Sequence, residues 1–190
     1  MLSIELKIHT KVNHQKLEKK VIAAINAINN QKGYTDLLIL FAAYFGAVER
    51  LVDESINLSC VPDYLQRRKV AALSADMYDL NTQLCPNAAL IILPVIENNL
   101  QCLGALYVME GSTLGGATIA KLIESKTKLS SKGGLAFFNG YGAATITMWQ
   151  TFKNQLDSIL LKPEDEYVVI QSANETFARF SDWIDLCNTN

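Results

Sequence analysis

The sequence predicts an all-α helical bundle, formed as a single domain over residues 1–190. Helix-period spacing of apolar residues dominates between the breaks. No pair of alternating segments flanks a hairpin turn. Punctuation is sparse, with four prolines and ten glycines, and there is no linker, internal repeat or charge block. A length of ~100–200 residues corresponds to one domain with one core.

Taken in order, residues 3–30 place Leu6, Leu17, Val21, Ile25 and Ile28 at helical spacings, and the NNQKG segment (29–33) is expected to close that helix. Thr35 or Asp36 is positioned to cap a second helix reaching about Leu58, mostly apolar and therefore central. Pro62 suits the first turn of a third helix ending near Thr82. The run CPNAALIILP (85–94) reads either as a buried loop or as one helical turn. A long helical pattern covers residues 97–129, with glycines inside it. SSKGG (130–134) and the Gly140–Gly142 pair bracket a short stretch expected to be non-helical. Two more helices fit residues 144–160 and 164–187, the last opened by Pro163.

Composition narrows the function classes. Apolar residues make up 49% and charged residues 19%, enough apolar surface to fold. The 17 basic and 19 acidic residues give a net charge of −2, without the basic footprint of a nucleic-acid binder. The longest apolar run, Leu37 to Val48, is too short for the ~20 residues of a membrane span. The N-terminal MLSIELKIHTK lacks the apolar core of a signal peptide, so a soluble cytoplasmic protein is expected. Cys60, Cys85, Cys102 and Cys187 form no CxxC pair and read as small core residues.

Two features call for a reason. The first is the glycine content of LGALYVMEGSTLGGATIAKLIE (103–124), because glycine inside a helix costs about 1 kcal/mol relative to alanine. At ~100° per residue, Gly104, Gly111 and Gly115 fall within roughly 40° of one another, with Tyr107, Thr118 and Leu122 on the same stripe. Close helix packing accounts for such a stripe. So does a flat ligand lying on bare backbone, with unwinding at Gly115–Gly116 to follow its contour. The second feature is the histidine usage: His9 and His14 both lie in the first helical pattern, pointing about 140° apart. His14 reads either as a partly buried histidine bonded to Glu18 or as a metal ligand. In the second case Glu18 accepts from Nδ1–H, directly or through water, and Nε2 is left for iron. Lys7 and Lys11, on the preceding turns, form either a solvated basic face or the partners of ligand carboxylates.

Together these segments resemble the haem oxygenases, especially the bacterial biliverdin-forming, phytochrome-associated branch. LKIHTKVNHQKLE (6–18) is similar to that family's L-K-x-x-T-x-x-x-H segment with a glutamate four residues on, and LGALYVMEGSTLGG (103–116) to its distal motif G-A-L-Y-V-x-E-G-S-x-L-G-G. Fainter echoes are FAAYFGAVE (41–49), RRKVAALSADM (67–77), FFNGYG (137–142), MWQTF (148–152) and NETFARFSDWI (174–184). The resemblance implies a haem-oxygenase-like bundle with a glycine-kinked distal helix. Haem lies between that helix and an N-terminal helix, serving as both substrate and prosthetic group. His14 is then the iron ligand and Glu18 its partner. Lys7 and Lys11 match basic positions near the propionates. Gly111, Gly115 and Gly116 with Tyr107 line the distal side.

The implied reaction consumes O2 and electrons and yields biliverdin, CO and ferrous iron. The implied electron donor is a ferredoxin or a reductase, and the acceptor of biliverdin a bacteriophytochrome. Ser112 stands where the animal enzymes have an aspartate. A hydroxyl donates and accepts hydrogen bonds but is no acid near neutral pH, which keeps a non-catalytic haem carrier or sensor as the alternative. A second alternative is the thiaminase-like branch of similar fold, for which Cys102 is the available nucleophile. The cation that meets a propionate from the C-terminal half is one of Lys153, Lys162 and Arg179.

Overall fold

The computed structural model describes residues 1–82, 92–127, 129 and 133–188, and among them regular structure is entirely helical. The predicted first helix is two: α1 (Leu2–His9) and α2 (Lys11–Ala27). The break is one residue wide. Thr10 is buried and donates its hydroxyl to the Leu6 carbonyl at 2.7 Å, a local bond that competes with helix continuation. α3 (Gln31–Ser55) starts earlier than Thr35, because the Asn30 side chain accepts from the Gly33 N–H at 2.9 Å. The NNQKG segment therefore separates two helices and also caps the second.

α3 is the buried spine. Phe41 and Phe45 pack edge-on against Phe137 and Phe180, and Tyr44 stacks on Phe180 with centroids 4.7 Å apart. The Tyr44 hydroxyl reaches the Thr176 carbonyl at 2.7 Å, so the aromatic cluster is also polar-satisfied. The expected third helix is shorter than predicted. A 3₁₀ turn (Tyr64–Gln66) is followed by extended backbone at Arg67 (ψ 156), and only then by α4 (Ala71–Asp79). The extended residue turns two consecutive arginines inward. The ambiguous run at 85–94 lies mostly outside the described residues.

The long pattern after residue 97 divides into α5 (Asn99–Gly111) and α6 (Thr113–Thr127), with the break at Ser112. The expected unwinding at Gly115–Gly116 is not found, since both glycines sit inside regular helix. The stretch predicted to be non-helical holds a single turn, α7 (Ala136–Asn139). α8 (Thr145–Ser158) and α9 (Pro163–Asn188) follow as expected, with Pro163 the first helical residue of α9. α5 and α9 form the most extensive helix pair. Gly104 makes it possible: a Cβ there would stand 2.4 Å from the Val169 carbonyl oxygen.

α7 depends on one side chain. The fully buried Asp76 accepts from the Ala136 and Phe137 N–H groups, at 2.7 and 2.8 Å. Burial holds its carboxyl above the usual range, and those two bonds pull it back down. Asp76→Ala is expected to lose about 1–3 kcal/mol, because two buried donors lose their acceptor. Urea unfolding measures the loss, and a change under about 0.5 kcal/mol would refute it.

Of the cysteines, Cys102 is fully buried while Cys60 and Cys187 are half-buried, and all three are free. Cys85 lies outside the described residues. No helix among them is long and apolar enough to cross a membrane.

Candidate functional site

α2 packs chiefly on α9 and also touches α6. Near its C-terminal end, Lys126 Nζ on α6 donates to the Asn26 and Ile28 carbonyls at 2.9 and 3.2 Å. From Thr10 to Asn26 the helix spans ~24 Å. The candidate site takes α2, with His14 and Glu18, as its near wall and the α5–α6 junction, with Gly111, Ser112 and Gly115, as its far wall.

The glycines of the far wall do different jobs. Gly115 is bare: a Cβ built there meets nothing within 4 Å. Gly111 is covered at contact distance by the edge of the Trp149 ring, 3.7 Å from where its Cβ would be. Gly116, expected to face a ligand, instead packs inward, where a Cβ would lie 2.0 Å from the Phe138 carbonyl oxygen. Gly104 is likewise a packing glycine against α9. The two sequence readings of the stripe thus divide by position, with close packing at Gly104 and Gly116 and an open backbone surface at Gly115. Tyr107 is half-buried and tilts against Trp149, ring centroids 5.4 Å apart.

Ser112 at the helix break is fully engaged. Its hydroxyl donates to the Met109 carbonyl at 2.6 Å and accepts from Arg68 Nη2 at 2.7 Å. Arg68 also caps the Met109 and Phe137 carbonyls and lies 4.0 Å over the Phe137 ring. Burial lowers the Arg68 guanidinium to about 10, opposed by the charge of Glu110. Behind it the fully enclosed Arg67 pairs with Glu110 at 2.6 Å and with Asp63 at 2.8 Å. The Tyr141 hydroxyl donates to the Glu110 carboxylate at 2.9 Å and accepts from the Arg68 N–H at 2.7 Å. Burial raises the Glu110 carboxyl, and Arg67 counters it. None of Arg67, Arg68, Glu110 or Tyr141 was singled out from the sequence, although all four lie inside segments quoted there. The available signal was Glu110, a lone charge in the apolar run of α5.

On the near wall His14 is exposed rather than buried, its ring edge-on to Phe177 with centroids 5.4 Å apart. No direct hydrogen bond joins it to Glu18, also exposed, among the described residues, so of the two expected forms of that pairing only the water-mediated one fits. Lys7 and Lys11 are exposed on the preceding turns. His9 points away and pairs with Glu5 at 3.4 Å. Among the candidate cations of the C-terminal half, Arg179 is held by Glu175 and Asp182 on its own helix. Lys162 sits before α9, whereas Lys153 Nζ lies 5.9 Å from the centroid of Trp149, the residue covering Gly111. Cys102 is no activated nucleophile: it faces the Val52 carbonyl, and burial pushes its thiol up to about 12. Among the described residues no group of three or more His, Cys, Asp or Glu could hold a metal ion.

An all-α bundle whose α5–α6 pair breaks at a serine between two glycines, with an exposed histidine on α2, defines the class. The family model described as haem oxygenase matches residues 1–185, and the chain belongs to the haem oxygenase family. The fold is similar to that of the NO- and CO-bound haem oxygenase of Neisseria meningitidis (TM-score 0.82, 23% identity, 98% of this chain and 92% of that one). It is also similar to the haem oxygenase of Leptospira interrogans (TM-score 0.77, 14% identity, 97% and 98%). A third likeness is to haem oxygenase-2 of Synechocystis in complex with haem and NO (TM-score 0.75, 16% identity, 99% and 87%). No curated protein matches the sequence.

Proposed function

We propose that the protein degrades haem, with O2 and electrons from a separate donor, to biliverdin, CO and ferrous iron in the cytoplasm. What supports this reading is the haem oxygenase family match over residues 1–185, together with an exposed His14 imidazole on α2 and bare backbone at Gly115 on α6. These residues fit haem: an imidazole free of protein hydrogen bonds among the described residues for iron, and a strip without side chains for a flat macrocycle. Bound haem supplies the oxygen chemistry; the chain supplies orientation and the surface on which the macrocycle rests.

In this reading His14 ligates iron and Glu18 orients it through water, because both are exposed and make no direct bond. Lys7, Lys11 and Lys153 meet the propionates. Lys153 is preferred over Arg179 because its ammonium is beside Trp149 whereas Arg179 is committed to two carboxylates. Gly115 forms the floor, Gly111 lies at its end under the Trp149 edge, and Ser112 holds the break through the Met109 carbonyl and Arg68. With its proton already donated, the hydroxyl positions backbone; water at the site supplies protons. Exposed Lys16 and Lys19 on α2 give an acidic ferredoxin or a reductase a docking face. A bacteriophytochrome would take up the product.

The test is a hemin titration followed by ascorbate, or ferredoxin with its reductase, in air. The wild type should form a Soret band that decays as a biliverdin band grows. His14→Ala should slow that decay at least tenfold. A Soret band that persists in the wild type would instead make this a haem carrier, and no Soret change at all would exclude haem as its ligand.

A further inference from the structure

Trp149 stands at one end of the glycine floor. The edge of its ring (Cη2 and Cζ3) lies 3.7 and 3.9 Å from the position of a Gly111 Cβ, while the floor at Gly115, one helical turn on, is bare. Packing fixes the indole from three sides. Tyr107 tilts against it with centroids 5.4 Å apart, Phe152 lies behind it at 6.0 Å, and Lys153 Nζ is 5.9 Å from its centroid. Phe152 is fully buried, so the base of α8 beneath the indole is anchored in the core. Trp149 itself is only half-buried. Part of the indole surface therefore stays uncovered by protein beside the Gly111 end of the floor.

We infer that Trp149 is a specificity-determining residue that selects which edge of a flat macrocycle is attacked. This rests on the haem oxygenase reading and adds no reagent beyond the O2 and donor electrons named there. A planar ring lying on the bare backbone at Gly115 runs up against the indole edge at the Gly111 end. The contact stops the ring from sliding along α5 and covers the edge nearest Trp149, leaving attack to an uncovered edge. Indole suits the task because it is rigid, with only two side-chain torsions, both restrained by Tyr107 and Phe152. Ser112 offers no comparable bulk, and Gly115 offers none.

The experiment compares the biliverdin isomers formed by wild type, Trp149→Phe, Trp149→Ala and Lys153→Gln, separated chromatographically after hemin turnover. Each variant is first checked for folding by circular dichroism and for hemin binding by its Soret band. Trp149→Ala should shift the isomer ratio at least threefold toward a product that is minor in the wild type, with hemin affinity changed less than about fivefold. Trp149→Phe keeps a ring against Tyr107 and Phe152, tolerates packing better, and should shift the ratio in the same direction by less. An unchanged ratio in a folded, hemin-binding Trp149→Phe or Trp149→Ala overturns the inference. So does Lys153→Gln reproducing the Trp149→Ala ratio, because charge rather than shielding would then set the outcome. Failure of the haem oxygenase reading looks different, with no Soret band or no turnover in the wild type, and it removes this inference with it.

Discussion

Arg67→Met is expected to destabilise the protein by about 3–5 kcal/mol, because it leaves a buried carboxylate without its charge partner. The Arg67 side chain is 1% exposed and its partner Glu110 is 3% exposed, so neither charge has water to fall back on. Removing the guanidinium strips Glu110 of its 2.6 Å partner and leaves Asp63 with only the Gln155 amide among its side-chain contacts here. The Glu110 carboxyl, already raised by burial and restrained chiefly by Arg67, moves further up. The pH dependence then has a definite sign. A carboxyl whose folded pKa lies above its unfolded value takes up a proton on folding, so its contribution is retained at low pH and lost as pH rises through the folded value. The gap between variant and wild type should therefore be smaller at pH 5 than at pH 8 in urea unfolding. Arg67→Met combined with Glu110→Met should recover much of the loss, since an apolar pair of similar volume leaves no orphan charge. A gap that is under 1 kcal/mol and independent of pH would show that the pair is not what holds this region.

That ion pair also marks where sequence reading reaches its limit. The all-α class was legible because helical periodicity is local, and so was Pro163 at the head of α9. The break at Thr10 was not, because its backbone (φ −98, ψ −5) departs too little from helix to disturb the apolar spacing on either side. The start of α3 was misplaced because asparagine and glycine at 30 and 33 resemble a terminator, whereas Asn30 bonding the Gly33 N–H is a cap. At the distal helix, glycine content drew attention to residues 115 and 116, but the helix breaks at Ser112, where a side chain rather than a missing one takes over the Met109 carbonyl. Arg67 and Arg68 meet Glu110 and Ser112 across more than 40 positions of sequence, and no local pattern encodes that pairing. What could be read was which segments carry the candidate residues, since both quoted motifs are local in sequence. Which glycine stays open and which faces the core is set by α7 and α8, whose approach is tertiary.

Gly115→Leu and Gly116→Ala should separate those two roles, although the residues are neighbours. Gly115 has open space around a Cβ, so a leucine branches from the backbone without a clash there and gains roughly 0.8–1 kcal/mol of helix propensity. Its unfolding midpoint should equal or exceed that of the wild type. Hemin affinity should nevertheless fall at least tenfold, because the new side chain stands where a flat ring would rest on backbone. Gly116→Ala is the smaller chemical change with the opposite outcome. Its Cβ would be 2.0 Å from the Phe138 carbonyl oxygen, and with backbone on both sides neither partner gives way cheaply. α6 must shift away from α7, at a cost of about 1–3 kcal/mol. Phe138 is also part of the aromatic core through Phe41 and Phe137, so the shift disturbs more than one contact. Hemin binding by the molecules that remain folded should be within about threefold of wild type. Chemical unfolding and a hemin titration on both variants decide the matter. If Gly115→Leu binds hemin as the wild type does, the bare strip is not the ligand floor, and the slot between α2 and α6 loses its main support as the haem site.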